Sequence, residues 1–518
     1  MKRRVERPDI SFVQLNPSPP YFFFFTQASM NKYTSLPWQV FFASIVAIAV
    51  ALHYGLCTQD DAFISFRYAE NLVRGNGLVF NIGERVEGFS NPSWTLLLAL
   101  AIKIGMDPVI ASLLMGYFSI IFLIYATAHL SRQVGGVVGI ACFLVAIDPS
   151  MLLESVQGLE SVFYAGLITL ACSRLLEERE ANKSSMISTS LFAIACCTRP
   201  EAPLFFILAH GSLGYKDRRW SKTLSSAIPI VGLLLVITIL RLFYYQDVLP
   251  NTFYAKVGGV AISRGLEYCH FHFRHHPIFW IALIFVWTKH GQEKKWFMLT
   301  TVLFIYLFYV VWIGGDFKPT SRFILPVSGI MAVAVSTMVQ RIIELKQAWI
   351  WFFLSVIMFL GRASLFTKAE VWAADRRQNF VARKFLGEWL KANTSRSDVL
   401  AMHSIGAIPY YAERKTIDMW GLTNKTIAKT PSETFGEGMA GHEKTNPEYV
   451  FSRSPEIYLP EDKFFLPQKI TQTPEPGFPK DFALHYQPIS IRLEGSWLNI
   501  WIKKGYQFSY TKDKVKDY

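Results

Sequence analysis

The sequence predicts an α-helical multispanning membrane protein carrying a small C-terminal α/β domain outside the bilayer. Three observations carry this. Of the 518 residues 51% are hydrophobic and only 18% charged, and the apolar residues fall into long runs rather than being dispersed as in a soluble enzyme. Lys and Arg gather in short loops between those runs, as in "GYKDRRWSK" (214–222) and "TKHGQEKKW" (288–296), the distribution of cytoplasmic loops. After about residue 368 the texture turns mixed, with an amphipathic stretch and then the short apolar run Val399–Met402, a helix followed by a strand. Basic cytoplasmic loops account for the formal charge of +13, so nucleic acid is not expected as a partner.

In chain order, residues 1–36 read as a cytoplasmic, disordered segment with Met30 as an alternative start, and 37–367 as the transmembrane module. Apolar segments lie near 37–56, 109–130, 158–176, 223–245, 296–313, 323–341 and 349–367, with shorter ones near 93–105, 137–150, 186–198, 201–215 and 277–288. The first is too long and too far from the start for a cleaved signal peptide. A cytoplasmic N-terminus and an outer domain at 368–518 require an odd number of crossings. The 93–105 stretch is too short to span unaided, which leaves about eleven. None of the six cysteines follows residue 368; a disulfide scaffold is not expected, and no metal-ligand spacing appears. No cofactor is indicated, and a divalent metal is left open.

With the basic loops inside, five polar stretches face outward: the first loop, 57–92, and "LESVQGLES" (153–161), "TRPEA" (198–202), "LPNTFYAKVGG" (249–259) and "GGDFKPTSRF" (314–323). Ionisable residues at a membrane edge are costly and are usually retained for function, so a single outward-facing site is expected. In the first loop Thr58 reads as a helix N-cap, Asp60 and Asp61 as its first turn, and Asp60, Ile64 and Arg67 as one face. Two readings stay open here: an active acid beside an ion pair, or acids favoured by the helix dipole and neutralised by Arg67. "RGNG" and "NIGE" around Leu78–Phe80 mark an ordered, folded-back loop. Asn251, Tyr254 and Lys256 leave the membrane together, and Asp316, Lys318 and Arg322 share a turn. Lys and Arg there suit an anionic head group, with snorkelling as the alternative. Glu154 and Glu160 read as outer-surface polar residues with no further role required, and Arg199 and Glu201 as a pair. Tyr410, Tyr411 and Trp420 offer rings suited to sugar faces, with core packing as the alternative.

"DDAFISFRYAENLVRGNGLVFNIGERVEGFSNPSW", followed in order by "GLES", "TRPEA", "LPNTFYAK", "GGDFKPTSRFILPV", "GAIPYYAERKTIDMWGLT" and "GHEKTNPEYVFSRSPEIYL", resembles the C-type (GT-C) glycosyltransferases. These take sugar from a polyprenyl phosphate; among them are the mycobacterial terminal arabinofuranosyltransferases and their bacterial relatives. The resemblance runs from about residue 37 to 460. It implies a GT-C-like fold in a bacterial inner (plasma) membrane, with the site and the C-terminal domain on the periplasmic face. The family's acidic pair carries over to Asp60 and Asp61 as catalytic residues. Lys256 and Arg322, grouped with Arg67, are assigned to the donor phosphate. Glu160, Asn251, Tyr254, Asp316, Tyr410, Tyr411 and Trp420 are assigned to substrate contact. The expected partners are the bilayer, a polyprenyl-phosphate-sugar donor (a pentofuranose such as arabinofuranose is one candidate sugar) and an envelope glycan, lipid or protein acceptor. No nucleotide-binding Gly-rich loop is seen, which fits a lipid-linked donor. One departure is "AMHSIGAIPYY", where His403 and Ser404 stand in place of the expected acid. Rival readings are a flippase for a lipid-linked glycan, which would call for internal repeats and mid-membrane charges, and a non-catalytic envelope-assembly subunit. Inversion or retention is not legible from sequence.

Overall fold

A computed structural model describes residues 36–318, 320–344, 348–432, 435–459, 465–466, 479, 481–493 and 496–508. The expectation for residues 1–36 therefore lies, apart from Leu36, outside the described residues. In chain order the helices are α1 (Leu36–Tyr54), α2 (Asp60–Val73), α3 (Pro92–Lys103), α4 (Pro108–Val134), α5 (Val138–Ala146), α6 (Pro149–Ser155), α7 (Ser161–Glu180), α8 (Met186–Thr198), α9 (Ala202–Asp217), α10 (Trp220–Tyr245), α11 (Asn251–Lys256), α12 (Ile262–His275), α13 (Pro277–His290), α14 (Lys294–Trp312), α15 (Ser328–Glu344), α16 (Ala348–Asn393) and α17 (Ala407–Ala412). Each apolar segment of the sequence is mainly helical.

The chain is a multi-pass membrane protein, but helix length separates its apolar segments. Among the described residues four helical stretches are long and apolar enough to cross a bilayer (α4, α10, α14 and Leu325–Glu344), and the pair α5 and α6, bent by 61°, makes a fifth if it is one span. That is fewer than the eleven expected. Helices α3, α8 and α13 have 12, 13 and 14 residues, about 18–21 Å at 1.5 Å per residue against a hydrocarbon core of about 30 Å. Helix α7 ends in the charged turn "RLLEERE".

Helix α16 runs through residue 368 without a break for 46 residues, so the change of texture there falls inside one rod. Ala369 and Ala373 belong to the membrane core, while Leu386 and Leu390 belong to the core of the C-terminal domain. That domain is built on a six-stranded sheet: β1 (Val399–Met402), β2 (Lys415–Asp418), β3 (Ile457–Leu459), β4 (Phe465–Leu466), β5 (Tyr486–Leu493) and β6 (Ser496–Lys503), ordered β2-β1-β3-β6-β4 with β5 also on β6. β1 is parallel to both neighbours, Leu400 aligning with Thr416 and Ile457, and β5 and β6 form an antiparallel pair. The first loop shares this core: Ile64, Tyr68, Phe80 and Phe89 cluster with Leu400, Met402 and Ile408.

Helix α2 begins at Asp60, with Gln59 rather than Thr58 at the cap; Gln59 makes no side-chain cap bond, and its N–H donates to the Gln157 carbonyl at 3.0 Å. The loop behind it folds back as expected. Asn71 Nδ2 donates to the Val79 carbonyl at 2.9 Å and the Tyr68 hydroxyl to Val86 at 2.6 Å.

Candidate active site

The site grows from the turn after α14. Gly314 and Gly315 take φ of +82° and +65°, and a Cβ on Gly315 would fall 2.5 Å from Tyr268 Cγ, so only glycine lets the chain turn this sharply against α12. The turn delivers Asp316, Lys318 and Arg322 to the first turn of α2. Lys318 Nζ lies 2.8 Å and Arg322 Nη1 3.7 Å from Asp61 Oδ2, while Arg322 Nε lies 2.5 Å from Asp316 Oδ2. Thr320 donates to Glu154 Oε1 at 2.5 Å, and among the described residues the buried Glu154 Oε2 has no hydrogen-bond partner.

The electrostatics follow from these contacts. Burial would raise the Asp61 carboxyl pKa, but Lys318 and Arg322 override it and hold the group far below the usual carboxylate range. Burial, reinforced by Arg322, pushes Lys318 down to about 8 despite Asp61 and Asp316. Lys318 is 2% exposed and Arg322 8%, whereas the Asp61 side chain keeps 31% of its surface open, so the carboxylate is the open member of the cluster and the two cations lie behind it. Lys256 comes near this group: desolvation and Arg322 lower its pKa, against the opposing pull of Asp61 and Asp316. Among the described residues it forms no ion pair.

The C-terminal domain covers this cluster. His442 packs edge-on against Phe317 (ring centroids 4.8 Å apart) and against Trp420 (4.2 Å), and His403 stacks on Trp420 at 4.7 Å. Arg264 ties the covering loop down, donating to Glu443 Oε1 at 2.9 Å and to the Gly314 carbonyl at 3.1 Å. The Asp418 carboxylate accepts the N–H groups of Trp420, Gly421 and Thr423 at 2.9, 3.0 and 2.6 Å, which fixes the turn that presents Trp420.

Other residues assigned from sequence have different occupations. Asp60 accepts the backbone N–H groups of Gly406 and Ala407 at 3.0 and 2.9 Å, one on each oxygen; it docks the C-terminal domain and does not join Asp61. Arg67, assigned to phosphate, donates to the carbonyls of Phe80, Pro409 and Arg414 at 2.8, 2.7 and 2.7 Å. Its guanidinium is engaged as a structural bridge, because seven residues on from Asp60 it faces the folded-back loop. Asn251 donates to the Gly421 and Leu422 carbonyls at 2.7 and 2.9 Å. Glu160 is held by Asn91 at 2.6 Å and Arg199 at 2.8 Å, and Arg199 also binds Glu201 at 2.9 Å. Tyr254 lies under the Lys429 ammonium. Tyr410 and Tyr411 pack on Phe63 at 5.4 and 5.6 Å and serve the docking core rather than an open sugar platform. Of the assigned rings, Trp420 alone borders the Asp61 cluster.

The sequence singles out Lys318 with Asp316 and Arg322 but leaves it out of the assigned phosphate ligands, reads Glu154 as an outer-surface polar residue, and gives no role to His442. The spacing of Lys318 and Arg322 in one turn was a usable signal for the first. Nothing local marked His442, whose position depends on the loop closing over the turn. Among the described residues no group of three or more His, Cys, Asp or Glu side chains could hold a metal ion.

Comparisons with known proteins meet this geometry. Residues 370–510 match a domain of unknown function (DUF8728). A terminal beta-(1->2)-arabinofuranosyltransferase of Mycobacterium tuberculosis is 29% identical over 267 residues, 46% of this chain and 42% of the relative. One of Corynebacterium glutamicum is 26% identical over 359 residues, 58% of this chain and 52% of the relative. The chain thus spans about half the length of these relatives. The crystal structure of ArnT from Cupriavidus metallidurans bound to undecaprenyl phosphate superposes with a TM-score of 0.56 at 10% identity, over 90% of this chain and 98% of that one. The chain has the fold of ArnT. The resemblance to the C-type glycosyltransferases read from the motifs is therefore borne out, by sequence over the matched regions and by fold over most of the chain.

Proposed function

We propose that this protein transfers a sugar, a pentofuranose such as arabinofuranose, from a polyprenyl-phosphate donor to an envelope glycan, lipid or protein acceptor on the periplasmic face of a bacterial plasma membrane. One observation carries the reading: the Asp61 carboxylate, open on one side, sits between Lys318 and Arg322 at the seam of the membrane module and its C-terminal domain. Arabinofuranosyltransferase relatives and the undecaprenyl phosphate held by ArnT support it. The donor phosphate takes Lys318 and Arg322, with Lys256 at the rim. The bond from the anomeric carbon to the phosphate oxygen breaks with its electron pair staying on the phosphate, and the two cations stabilise that charge. Asp61, sharing the same cations, stands beside the anomeric carbon. Asp60 holds the domain that supplies the acceptor side.

The test is transfer by the purified full chain from synthetic decaprenyl-phosphate arabinofuranose, read by mass spectrometry of the acceptor. Absence of turnover with pentosyl and hexosyl donors alike overturns the reading. Orientation is checked by reporters fused at Tyr518; activity of a reporter that works only in the cytoplasm places the site on the wrong side.

A further inference from the structure

We infer that His442 takes the proton from the acceptor hydroxyl. The inference rests on the transferase reading above. His442 stands over the turn that carries the cations, its ring meeting Phe317 at 88° and Trp420 at 75°. Its loop is fixed on both flanks. Glu443 is bound by Arg264 and by the Gly436 N–H at 2.6 Å. Gly441, at φ +78°, lies against the Lys256 stem, where a Cβ would sit 3.4 Å from Cγ.

The tautomer is set by the backbone. Nδ1 lies 3.1 Å from the Ala440 carbonyl, so Nδ1–H donates and Nε2 carries the lone pair. Among the described residues Nε2 has no hydrogen-bond partner. The charged groups that face the ring are Asp61 and Asp316, which favour its protonation, and Lys256, which opposes it; burial is the largest influence and keeps the imidazole below its ordinary value. It is therefore neutral near pH 7 and able to accept a proton. Asp61, clasped by two cations, is far too weak a base for an alcohol, since general-base strength follows pKa.

The step balances. The acceptor oxygen bonds to the anomeric carbon, the carbon–oxygen bond to phosphate breaks with its pair on the phosphate, and the hydroxyl proton passes to Nε2 and on to solvent.

The test uses the full chain with decaprenyl-phosphate arabinofuranose and an arabinan acceptor. His442→Gln is expected to lower kcat for transfer by ~10²–10⁴-fold with binding of undecaprenyl phosphate kept. His442→Ala is expected to regain transfer on addition of imidazole, with an acidic limb set by the added base. Transfer by the wild type together with parental turnover in His442→Gln overturns the role of His442 alone. Loss of both phosphate binding and transfer, without imidazole rescue, assigns His442 to holding the loop and also overturns it. A wild type that binds undecaprenyl phosphate and transfers nothing overturns the transferase reading, and the proton acceptor with it.

Discussion

Asp60 and Asp61 follow each other in the chain yet look into two halves of the molecule. Successive residues on a helix diverge by about 100°, so one carboxylate meets the C-terminal domain and the other the membrane module. Asp60 accepts two backbone N–H groups of the 406–407 corner and has the Arg383 guanidinium 3.7 Å away, all from the C-terminal side of the molecule. Asp61 is satisfied by two cations delivered by the turn after α14. The same side chain in the same helical turn thus becomes a dock in one case and a charge-bearing centre in the other, because its partners, not its type, decide what it can do.

The largest effect expected from this contrast is at Asp61. Asp61→Asn should lower turnover by ~10²–10³-fold, the loss typical of one preorganised electrostatic group, while the protein melts in detergent as the parent does; equal turnover would break the comparison at its centre. Next come the cations. Lys318→Ala should weaken donor use by roughly tenfold or more, as expected for a charged hydrogen bond worth ~1.5–3 kcal/mol. Arg322→Lys should also weaken it, because the planar fork between Asp61 and Asp316 is lost; donor titration reads both.

On the other face, Gly406→Ala would bring a Cβ to within 2.0 Å of the Asp60 carbonyl oxygen. It should destabilise domain docking by ~1–3 kcal/mol, seen as faster proteolysis of the C-terminal domain. Asp60→Asn should act in the same direction by ~1 kcal/mol and reduce turnover by less than Asp61→Asn does. Turnover abolished in Asp60→Asn with an unchanged melt would return Asp60 to the catalytic centre.

The mildest effect sharpens the contrast by pH. Lys318 must be protonated to hold a phosphate, and its pKa is pushed down to about 8. Donor kcat/KM, which reports the free enzyme, should therefore fall as pH rises through that value, on the alkaline side of the limb set by His442. Lys318→Arg should stay flat over the same range. A wild-type profile without this alkaline limb would remove Lys318 from the phosphate site.

The legible and illegible parts of the site separate along physical lines. "VLAM" at 399–402 became β1 because four consecutive apolar residues there suit a strand buried on both sides. The five polar stretches do converge: Glu154 meets Thr320, Glu160 meets Arg199, Asn251 meets the 421–422 backbone, and Asp61 meets Lys318. Their convergence could be read because charge at a membrane edge is expensive wherever it occurs. Which charge meets which could not be read. Arg67 was a reasonable phosphate ligand by type, and its capture by three carbonyls depends on a loop that returns through Phe80 and on a domain more than three hundred residues away.

By itself the sequence determined that this chain is a bundle of apolar helices, that its ionisable residues gather outside those helices, and that its last part forms a mixed domain. Each of these follows from composition and local period, which act over a few residues at a time. Only the tertiary structure decided that α16 runs unbroken between the two cores, that Lys318 rather than Arg67 serves Asp61, and that His442 closes over the cluster. Those outcomes rest on contacts between residues distant in the chain, such as Asp61 with Lys318, 257 positions apart, and a pairing at that range is chosen by the packing of whole elements rather than by any signal within one of them.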